Sequence, residues 1–486
     1  MISFNETPND LRIPFVSAEF DSSNSSQGPS LLKYRALIIG QKIASGTMAA
    51  NTTERVTSVE KVAELAGRGS ILHRMSIAWF ASNQSTDLTI AALDDDSSGA
   101  AATGSITVTL SSQKAGTIAM YLGSKRIPVG VTAASTQDSL ASAIAAKINA
   151  DNDLPVTATA STNVVTVLYR NKGEVGNKYD IRDSRNYTES LPQGVSLSYS
   201  GMSGGSGNPS LSSLIAALGD EWFHIICHPY TDAASLSAIE LELESRIGPL
   251  RSIDGLAITS SAGSFSDLAT LGSSRNSKSS CIASQAGSSP LTQACEHAAE
   301  TAAIVARYGS VDPARPFQTL VYRHTVSPTG LFTATERNLL LFDGISTNRV
   351  SADRPQIERM ITTYRKNSAG GDDTAYLDAT TMLILMYLRY SWRTRMQAKY
   401  PRHKLADDGV RVSPGQFIMT PKLGKAEAVG WFREMEGKGL VEGFEQFKKD
   451  LVVSRNTTDP NRLDLLLSPD LINQLIFVAA RVAFRL

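Results

Sequence analysis

The sequence predicts a multidomain protein of the α/β and α+β classes, in which a mainly antiparallel β domain is inserted into a parallel sheet. Strand-like apolar runs alternate with helical segments in residues 31–93 and 210–348, which is typical of a parallel sheet with helices on both faces. Residues 94–209 instead carry apolar residues at every second position. A chain of 486 residues is long enough for about three domains.

The α/β domain begins with a continuous apolar run at residues 34–40, which predicts a buried strand. Thr57 and Glu60 have the spacing of a capping box, so we expect a helix from there that Gly67 ends. The same patterns predict further helices over residues 71–82, 210–218, 232–247 and 291–308, and further strands over 88–92, 222–227, 255–259, 280–283 and 318–322.

Flexible polar segments bound the inserted domain, since residues 94–99 are rich in Asp and Ser and residues 200–209 in Gly and Ser. Such segments tolerate insertions. One helix is predicted inside the domain, because Leu140, Ile144 and Ile148 share a helical face. We therefore expect a small domain with its own core.

The C-terminal region, residues 349–470, is predicted to be α+β. Helices are expected over residues 355–366 and 380–399, and a third begins at Thr420 and Pro421. Residues 451–453 and 463–467 are expected to form a hairpin around a polar turn.

Composition excludes several classes of function. Lys plus Arg equals Asp plus Glu at 47 each, so no overall charge attracts nucleic acid or an anionic membrane. Three cysteines fit no disulfide framework, and a reducing compartment is the simpler expectation. The polar N-terminus is not a signal peptide, and the best apolar run, residues 382–388, is too short to span a bilayer.

Two motifs match known functional sites, one of a serine hydrolase and one of a zinc site, but the residues around each motif do not fit such a site. Residues 201–205 match the G-x-S-x-G pattern of serine hydrolases, and Asp220 or Asp232 followed by His297 or His324 would complete the order of a triad. This match lies in a Gly/Ser linker rather than at a strand-to-helix turn. His224, Cys227 and His228 lack the further ligands of a zinc site. We expect no catalytic residue, no metal and no cofactor.

Although the chain as a whole is neutral, positive charge is concentrated in one stretch, residues 379–406. No acidic residue occurs between Ala379 and Ala406, and that stretch carries six cationic side chains, Arg389, Arg393, Arg395, Lys399, Arg402 and Lys404. They are either a docking face for an acidic partner or the favoured basic end of a helix.

The sequence resembles the Mu-like family of phage contractile tail sheath proteins. The likeness is densest after about residue 350, in residues 362–364 (TTY), 373–377 (DTAYL), 400–409 (YPRHKLADDG), 420–422 (TPK), 439–447 (GLVEGFEQF) and 461–473 (NRLDLLLSPDLIN). Residues 170–177 (RNKGEVGN) are similar to the family's inserted domain.

The resemblance implies an α/β domain of subtilisin-like topology without protease function, a structural role in the virion tail, and assembly in the host cytoplasm. It also implies partners: copies of the chain in stacked hexameric rings, a tail tube, and baseplate and terminator proteins. No nucleic acid is contacted directly and no membrane is entered. Contraction then drives the tube through the target envelope.

We expect both chain ends, residues 1–30 and 471–486, to be extended arms that add strands to the sheets of neighbouring subunits. The predicted contacts are Val16, Ala18, Phe20, Ile476, Val478, Val482, Phe484 and Leu486. The even-numbered positions from 476 to 486 are all apolar, as in a strand with one buried face. Burial within the same subunit is the competing explanation. We expect the basic stretch to face the tube, and we expect the inserted domain to lie on the outside of the sheath.

Two other classes of function compete with this interpretation. One is a secreted serine hydrolase that uses the weak G-x-S-x-G match. The other is a non-contractile adhesin or surface-layer protein.

Overall fold

The computed structural model describes residues 32–485 except 187, 328, 412 and 414. The predicted N-terminal arm with Val16, Ala18 and Phe20 therefore lies outside the described residues, as does Leu486.

Helices and strands are numbered here in chain order. The strands are β1 (Arg35–Gln41), β2 (Thr53–Val56), β3 (Asp87–Leu93), β4 (Ala101–Leu110), β5 (Gly116–Leu122), β6 (Lys125–Val131), β7 (Val156–Ser161), β8 (Val164–Lys172), β9 (Ile181–Asp183), β10 (Val195–Ser203), β11 (Ile225–Cys227), β12 (Leu256–Ser261), β13 (Ser280–Ser284), β14 (Ile345–Ser351), β15 (Arg354–Arg359), β16 (Lys404–Leu405), β17 (Ile418–Met419), β18 (Val441–Glu442), β19 (Val452–Arg455), β20 (Leu463–Leu466) and β21 (Asp470–Leu471). The helices are α1 (Val59–Ala66), α2 (Ile71–Ser82), α3 (Gln137–Asn149), α4 (Ser212–Leu218), α5 (Ala233–Ile247), α6 (Phe265–Ser273), α7 (Ala294–Val311), α8 (Ala334–Phe342), α9 (Ala379–Lys399), α10 (Pro421–Gly437) and α11 (Phe444–Asp450).

An eight-stranded sheet forms the α/β domain, with the order β15-β14-β13-β12-β11-β1-β3-β2. Strand β1 pairs in parallel with β3 on one side and with β11 on the other. Its residues 36–41 are all buried, as expected of a central strand covered on both faces. The parallel sheet predicted from the alternating pattern is thus confirmed.

Three local predictions were wrong. Residues 318–322 form no strand, and within them only Val321 makes an isolated bridge, to Gln356. Helix α1 begins after Ser58, whose side chain accepts from Lys61 N, so the Thr57–Glu60 capping box does not form. Residues 355–366 are not a helix, because residues 354–359 form strand β15. Ala352 and Asp353 both adopt positive φ, at 48° and 58°, and make the tight turn that folds β15 back on β14. The α/β sheet therefore extends past the boundary predicted at residue 348.

The inserted domain contains two antiparallel sheets, with the orders β10-β4-β8-β7 and β6-β5-β9. Helix α3 packs against strands of both sheets, and its Leu140, Ile144 and Ile148 are buried as predicted. The domain also packs on the α/β core, since Tyr169 accepts a hydrogen bond from Gln293 over 2.9 Å. It is therefore attached by a buried surface as well as by its two connections.

A polar clasp, built on the buried side chains of Gln41 and Asn171, holds the inserted domain over the carboxyl end of β1. Gln41 donates to Asp95 Oδ1 over 2.6 Å, and Asn171 donates to the same oxygen over 2.9 Å. Lys172 N donates to Asp95 Oδ2. The two amide-to-backbone bonds between Asn177 and Gly205 fix the segment that returns to the α/β domain. Residues 170–177 thus bind both connections of the inserted domain, the entering one at Asp95 and the returning one at Gly205.

The C-terminal region packs around the long helices α9 and α10. Trp431 donates from its indole to Ser391 over 2.9 Å, which ties the two helices together. Phe432 stacks on Phe447 of α11 with ring centroids 4.1 Å apart. The predicted hairpin forms as the two-stranded sheet β19–β20.

Candidate functional site

Helix α9 carries most of the predicted basic stretch, and its first two cations bind the α/β domain. Arg389 donates to Asp254 Oδ1 over 2.9 Å and to Ile247 O over 2.7 Å. Arg393 donates to Ser252 O over 3.1 Å and lies over the ring of Trp222. Both side chains therefore fasten α9 to the loop that precedes β12.

The next two cations pair with carboxylates of α10. Arg395 bonds Glu427 over 2.8 Å and Glu434 over 2.7 Å, and Lys399 bonds Glu427 over 3.1 Å. Burial alone would raise the pKa of Glu427, but hydrogen bonds from Arg395, Tyr400 and Lys399 lower the pKa to about 2. Two of the six cations are thus paired with acids that lie further along the chain.

The last two cations, Arg402 and Lys404, are exposed in the segment between α9 and α10. Lys404 donates to Gln416 over 2.7 Å. Within the described part of the chain, neither side chain forms an ion pair. Phe417 and Val410 in the same segment are 67% and 54% exposed, so a cationic and apolar surface extends from this end of α9.

The segment predicted as the C-terminal arm begins inside a sheet of its own chain, since Leu471 of β21 lies opposite Val441 of β18. Its last hydrogen bond to the domain between two backbone groups runs from Ile472 N to Leu440 O, and residues 473–485 form neither helix nor strand. Gln318 also donates from its side chain to Leu475 O over 3.1 Å. The side chains predicted as contacts are exposed: Ile476 36%, Val478 72%, Val482 86% and Phe484 80%. Burial of this arm within the same subunit is not what the structure shows.

The hairpin β19–β20 offers open strand edges. It is a sheet of only two strands within the described residues, so the outer edge of each strand lacks a neighbour. Val452 and Leu466 lie opposite each other on it and are 54% and 59% exposed. An unpaired edge with exposed apolar side chains readily accepts another strand.

A buried serine–histidine pair lies elsewhere, at the carboxyl ends of the parallel strands. Ser260 Oγ is 2.9 Å from Nδ1 of His297 on α7, and both residues are almost fully buried. Nε2 of His297 is 3.0 Å from Asn348 Nδ2 on β14. The arrangement resembles a hydrolase triad in residue types, although sequence inspection did not select Ser260.

The hydrogen bonds around Asn348 fix its orientation and with it the histidine tautomer. Asn348 Nδ2 faces the carbonyl of Ser284, which can only accept, and its Oδ1 accepts from Tyr322 over 3.0 Å. The amide therefore donates to Nε2 of His297, and the imidazole proton lies on Nδ1. His297 thus donates to Ser260 and cannot take the serine proton. Burial, with a smaller effect of His324, lowers the pKa of His297 well below its usual value.

The predicted triad residues do not come together. Ser203 is exposed at the end of β10, Asp220 pairs with Arg251, and Asp232 caps helix α5. His324 pairs instead with the buried Glu300 over 2.6 Å. Among the residues the structure describes, no cluster of His, Cys, Asp and Glu has the make-up of a metal site. In that same part of the chain no helix is both long and apolar enough to cross a membrane.

Family comparisons cover more than half of the chain. Residues 204–363 match the phage tail sheath protein central domain, and residues 371–485 match the phage tail sheath C-terminal domain. The chain is 39% identical over 486 residues to the Mu-like prophage FluMu tail sheath protein of Haemophilus influenzae, covering 99% of both proteins.

The solved structures that the chain matches have lower identity. The sheath tail protein of Desulfitobacterium hafniense is 13% identical with a TM-score of 0.48, covering 94% of this chain and 100% of its own. The sheath tail protein of Listeria innocua is 13% identical with a TM-score of 0.49, covering 92% and 94%. On the strength of the family matches and the full-length relative, the chain belongs to the Mu-like family of phage tail sheath proteins.

Proposed function

We propose that the chain is the repeating subunit of a contractile sheath, which polymerises as stacked hexameric rings around a tail tube and shortens to drive the tube through a cell envelope. The observation that carries this proposal is the C-terminal segment, whose strand-like apolar pattern from residue 476 on pairs with no strand among the residues that the structure describes. A segment of this kind gains stability only when another molecule covers it.

The acceptor we propose for the arms is the β19–β20 hairpin of a neighbouring subunit. The hairpin has two outer edges, and two arms are predicted from the sequence, so each edge can take one strand. Each added backbone hydrogen bond contributes about 0.5–1.5 kcal/mol net, so a short strand that also buries its apolar side chains contributes several kcal/mol. The connecting residues can then bend while the pairing persists, which lets rings move without separating.

Charged substitutions on the hairpin test this acceptor. Val452→Glu with Leu466→Glu should give folded monomers that form no tubes, because both exposed apolar contacts are lost. Leu250→Glu, at a fully exposed position on another surface, is the matched control and should assemble. Normal tubes from the hairpin variant, seen by electron microscopy, would exclude the hairpin as acceptor.

We propose that the tube faces the exposed segment after α9 rather than α9 as a whole. Arg389, Arg393, Arg395 and Lys399 already hold partners within the subunit, which leaves Arg402 and Lys404 to meet an acidic partner. Exposed ion pairs are worth only about 0–1 kcal/mol each, so their effect comes from repetition along the sheath.

Co-sedimentation with purified tube at low salt measures this contact. Arg402→Glu with Lys404→Glu should weaken tube attachment while tubes of sheath alone still form. Lys448→Glu with Lys449→Glu, on the exposed side of α11, changes charge equally and should leave attachment intact. Equal attachment of both variants would refute the contact.

We propose the remaining roles from the likeness to tail sheath proteins. The inserted domain faces outward, the ring ends meet baseplate and terminator proteins, and assembly takes place in the host cytoplasm. The α/β domain, of subtilisin-like topology, serves as scaffold without catalysis; the tautomer of His297 supports this, since it cannot activate Ser260.

A further inference from the structure

A cavity of about 280 Å³ lies between the inserted domain and the α/β domain. The insertion contributes the 3-10 helix Glu174–Lys178 to the wall. The α/β domain contributes residues 229–231 after β11, residues 260–262 around the end of β12, and the start of α7. The cavity is next to the point where the strand order reverses, since β1 has β3 on one side and β11 on the other. Open α/β sheets commonly bind ligands at this place, outside the carboxyl ends of the strands.

The buried hydroxyl group of Ser260 lacks an acceptor for its proton. His297 donates to the hydroxyl oxygen, as the hydrogen bonds of Asn348 require, so Ser260 must give its own proton to another group. No described residue accepts that proton. Ser260 is only 1% exposed and lines the cavity, so an acceptor atom of an occupant would satisfy the hydroxyl group.

The N-terminus of α7 presents further donors to the same cavity. Residues 293–295 line the wall, and Gln293 at the N-cap makes no capping bond with its side chain. Among the described residues, the backbone N–H groups of residues 294–296 have no acceptor. The bond from His297, in the first turn of the helix, holds Ser260 beside them. An 18-residue helix also carries partial positive charge at this end.

Two exposed side chains of opposite charge lie at the rim of the cavity. Lys178 donates to the carbonyl of Ala262 and forms no ion pair within the part of the chain that the structure describes. The Glu174 carboxylate accepts from the amide of Asn208 over 3.4 Å. Because the two rim charges cancel, the donors of Ser260 and α7 decide which group the cavity prefers.

We propose that the cavity binds the oxyanion group of a small molecule, a carboxylate or a phosphate, between the hydroxyl group of Ser260 and the first N–H groups of α7. Lys178 can donate to the same group from the rim. Since both domains form the wall, the bound oxyanion holds the inserted domain against the α/β domain. This site is independent of the assembly proposed above, so either proposal can fail while the other stands.

Calorimetric titration of the full-length chain at constant ionic strength tests the site, with sodium phosphate and sodium acetate as separate probes. The heat should saturate for at least one anion, and the comparison shows which group is preferred. Ala294→Pro removes the first N–H group of α7 and should weaken binding about tenfold, the effect of one hydrogen bond to a charged group. The fold should persist, because proline is favoured at this helix position and Gln293 before it is extended, with φ −62° and ψ 148°.

Ala334→Pro is the matched control. It places proline at the first position of α8, behind Thr333 with φ −66° and ψ 162°, and should bind the anion as the wild type does. Lys178→Gln, at the exposed rim, should weaken binding about threefold and decides the matter if the circular dichroism of Ala294→Pro differs from the wild type. Absence of saturable binding for both anions would overturn the proposal, as would equal affinity of the wild type and a folded Ala294→Pro or Lys178→Gln chain.

Discussion

Asn171 and Asp95 lie 2.9 Å apart at the centre of the polar clasp between the inserted domain and the α/β sheet. The amide of Asn171 also donates to Lys42 O over 2.8 Å and accepts from Ile71 N over 3.0 Å. One fully buried side chain therefore joins the end of β1, the start of α2 and the insertion.

Replacing Asn171 should loosen this joint. Asn171→Ala leaves a buried N–H and the Asp95 carboxylate short of partners, so we expect a loss of about 3 kcal/mol in the free energy of unfolding. Urea titration of the monomer measures it. Asn163→Ala removes one bond at the β7–β8 turn, to Val108 O, and should cost about 1 kcal/mol. Equal losses in the two variants would show that Asn171 contributes no more to the free energy of unfolding than the single hydrogen bond of Asn163.

The pair of Arg395 with Glu427 should make stability depend on acid. The pKa of Glu427 is lowered to about 2 in the folded chain, below about 4.3 for an unfolded glutamate, so its contribution is present at neutral pH. That contribution is lost as the pH falls from about 4 toward 2. Glu427→Gln should lower the free energy of unfolding by about 2 kcal/mol at pH 7, with the deficit shrinking at acid pH.

Glu436→Gln is the control for this measurement. Glu436 pairs with Arg433 on the surface of the same helix, and such a pair is worth only about 0.3 kcal/mol. A deficit for Glu427→Gln that stays constant from pH 7 to pH 2 would contradict the ion-pair explanation.

Accessibility to a bulky maleimide should reveal which domain faces outward. Because the native thiols are buried, single cysteines can be labelled without background. Ser161→Cys, at the exposed end of β7, should react in assembled sheaths as it does in monomers. Arg402→Cys should react in monomers and become protected on assembly around the tube. The opposite pattern would place the inserted domain inside.

A serine-reactive fluorophosphonate should leave the folded chain unlabelled. Ser260 is buried and accepts, rather than gives, the shared proton of His297, while Ser203 has no histidine partner among the described residues. Ser260→Ala and Ser203→Ala should therefore behave as the wild type toward the probe. Labelling of the wild type that disappears in either variant would support the alternative that the chain is a serine hydrolase.

Sequence patterns predicted the elements whose signals are local. Helix α9 was expected at residues 380–399 and forms as Ala379–Lys399, and α10 begins with Pro421 behind Thr420 as its cap. The hairpin β19–β20 also follows from its alternation and its polar turn.

Features set by distant contacts were not predictable in this way. Strand β15 was missed because its partner β14 and the turn at Ala352 and Asp353 decide its conformation. In the sequence, the cations of α9 have no acidic residue nearby. Glu427 and Glu434 come within bonding distance of Arg395 only because α10 folds back against α9. Asp95 lies in the segment 94–99 that the sequence predicts to be flexible and polar, although it binds three groups of the clasp.

The most direct measurement of the central claim is electron microscopy of purified chains that lack either arm. Removal of residues 1–21, or of residues 476–486, should give monomers with the circular dichroism of the full-length chain that form no tubes, while the full-length chain forms them. Tubes of normal appearance from either truncated chain would contradict the account, as would unfolding of the chain that lacks residues 476–486.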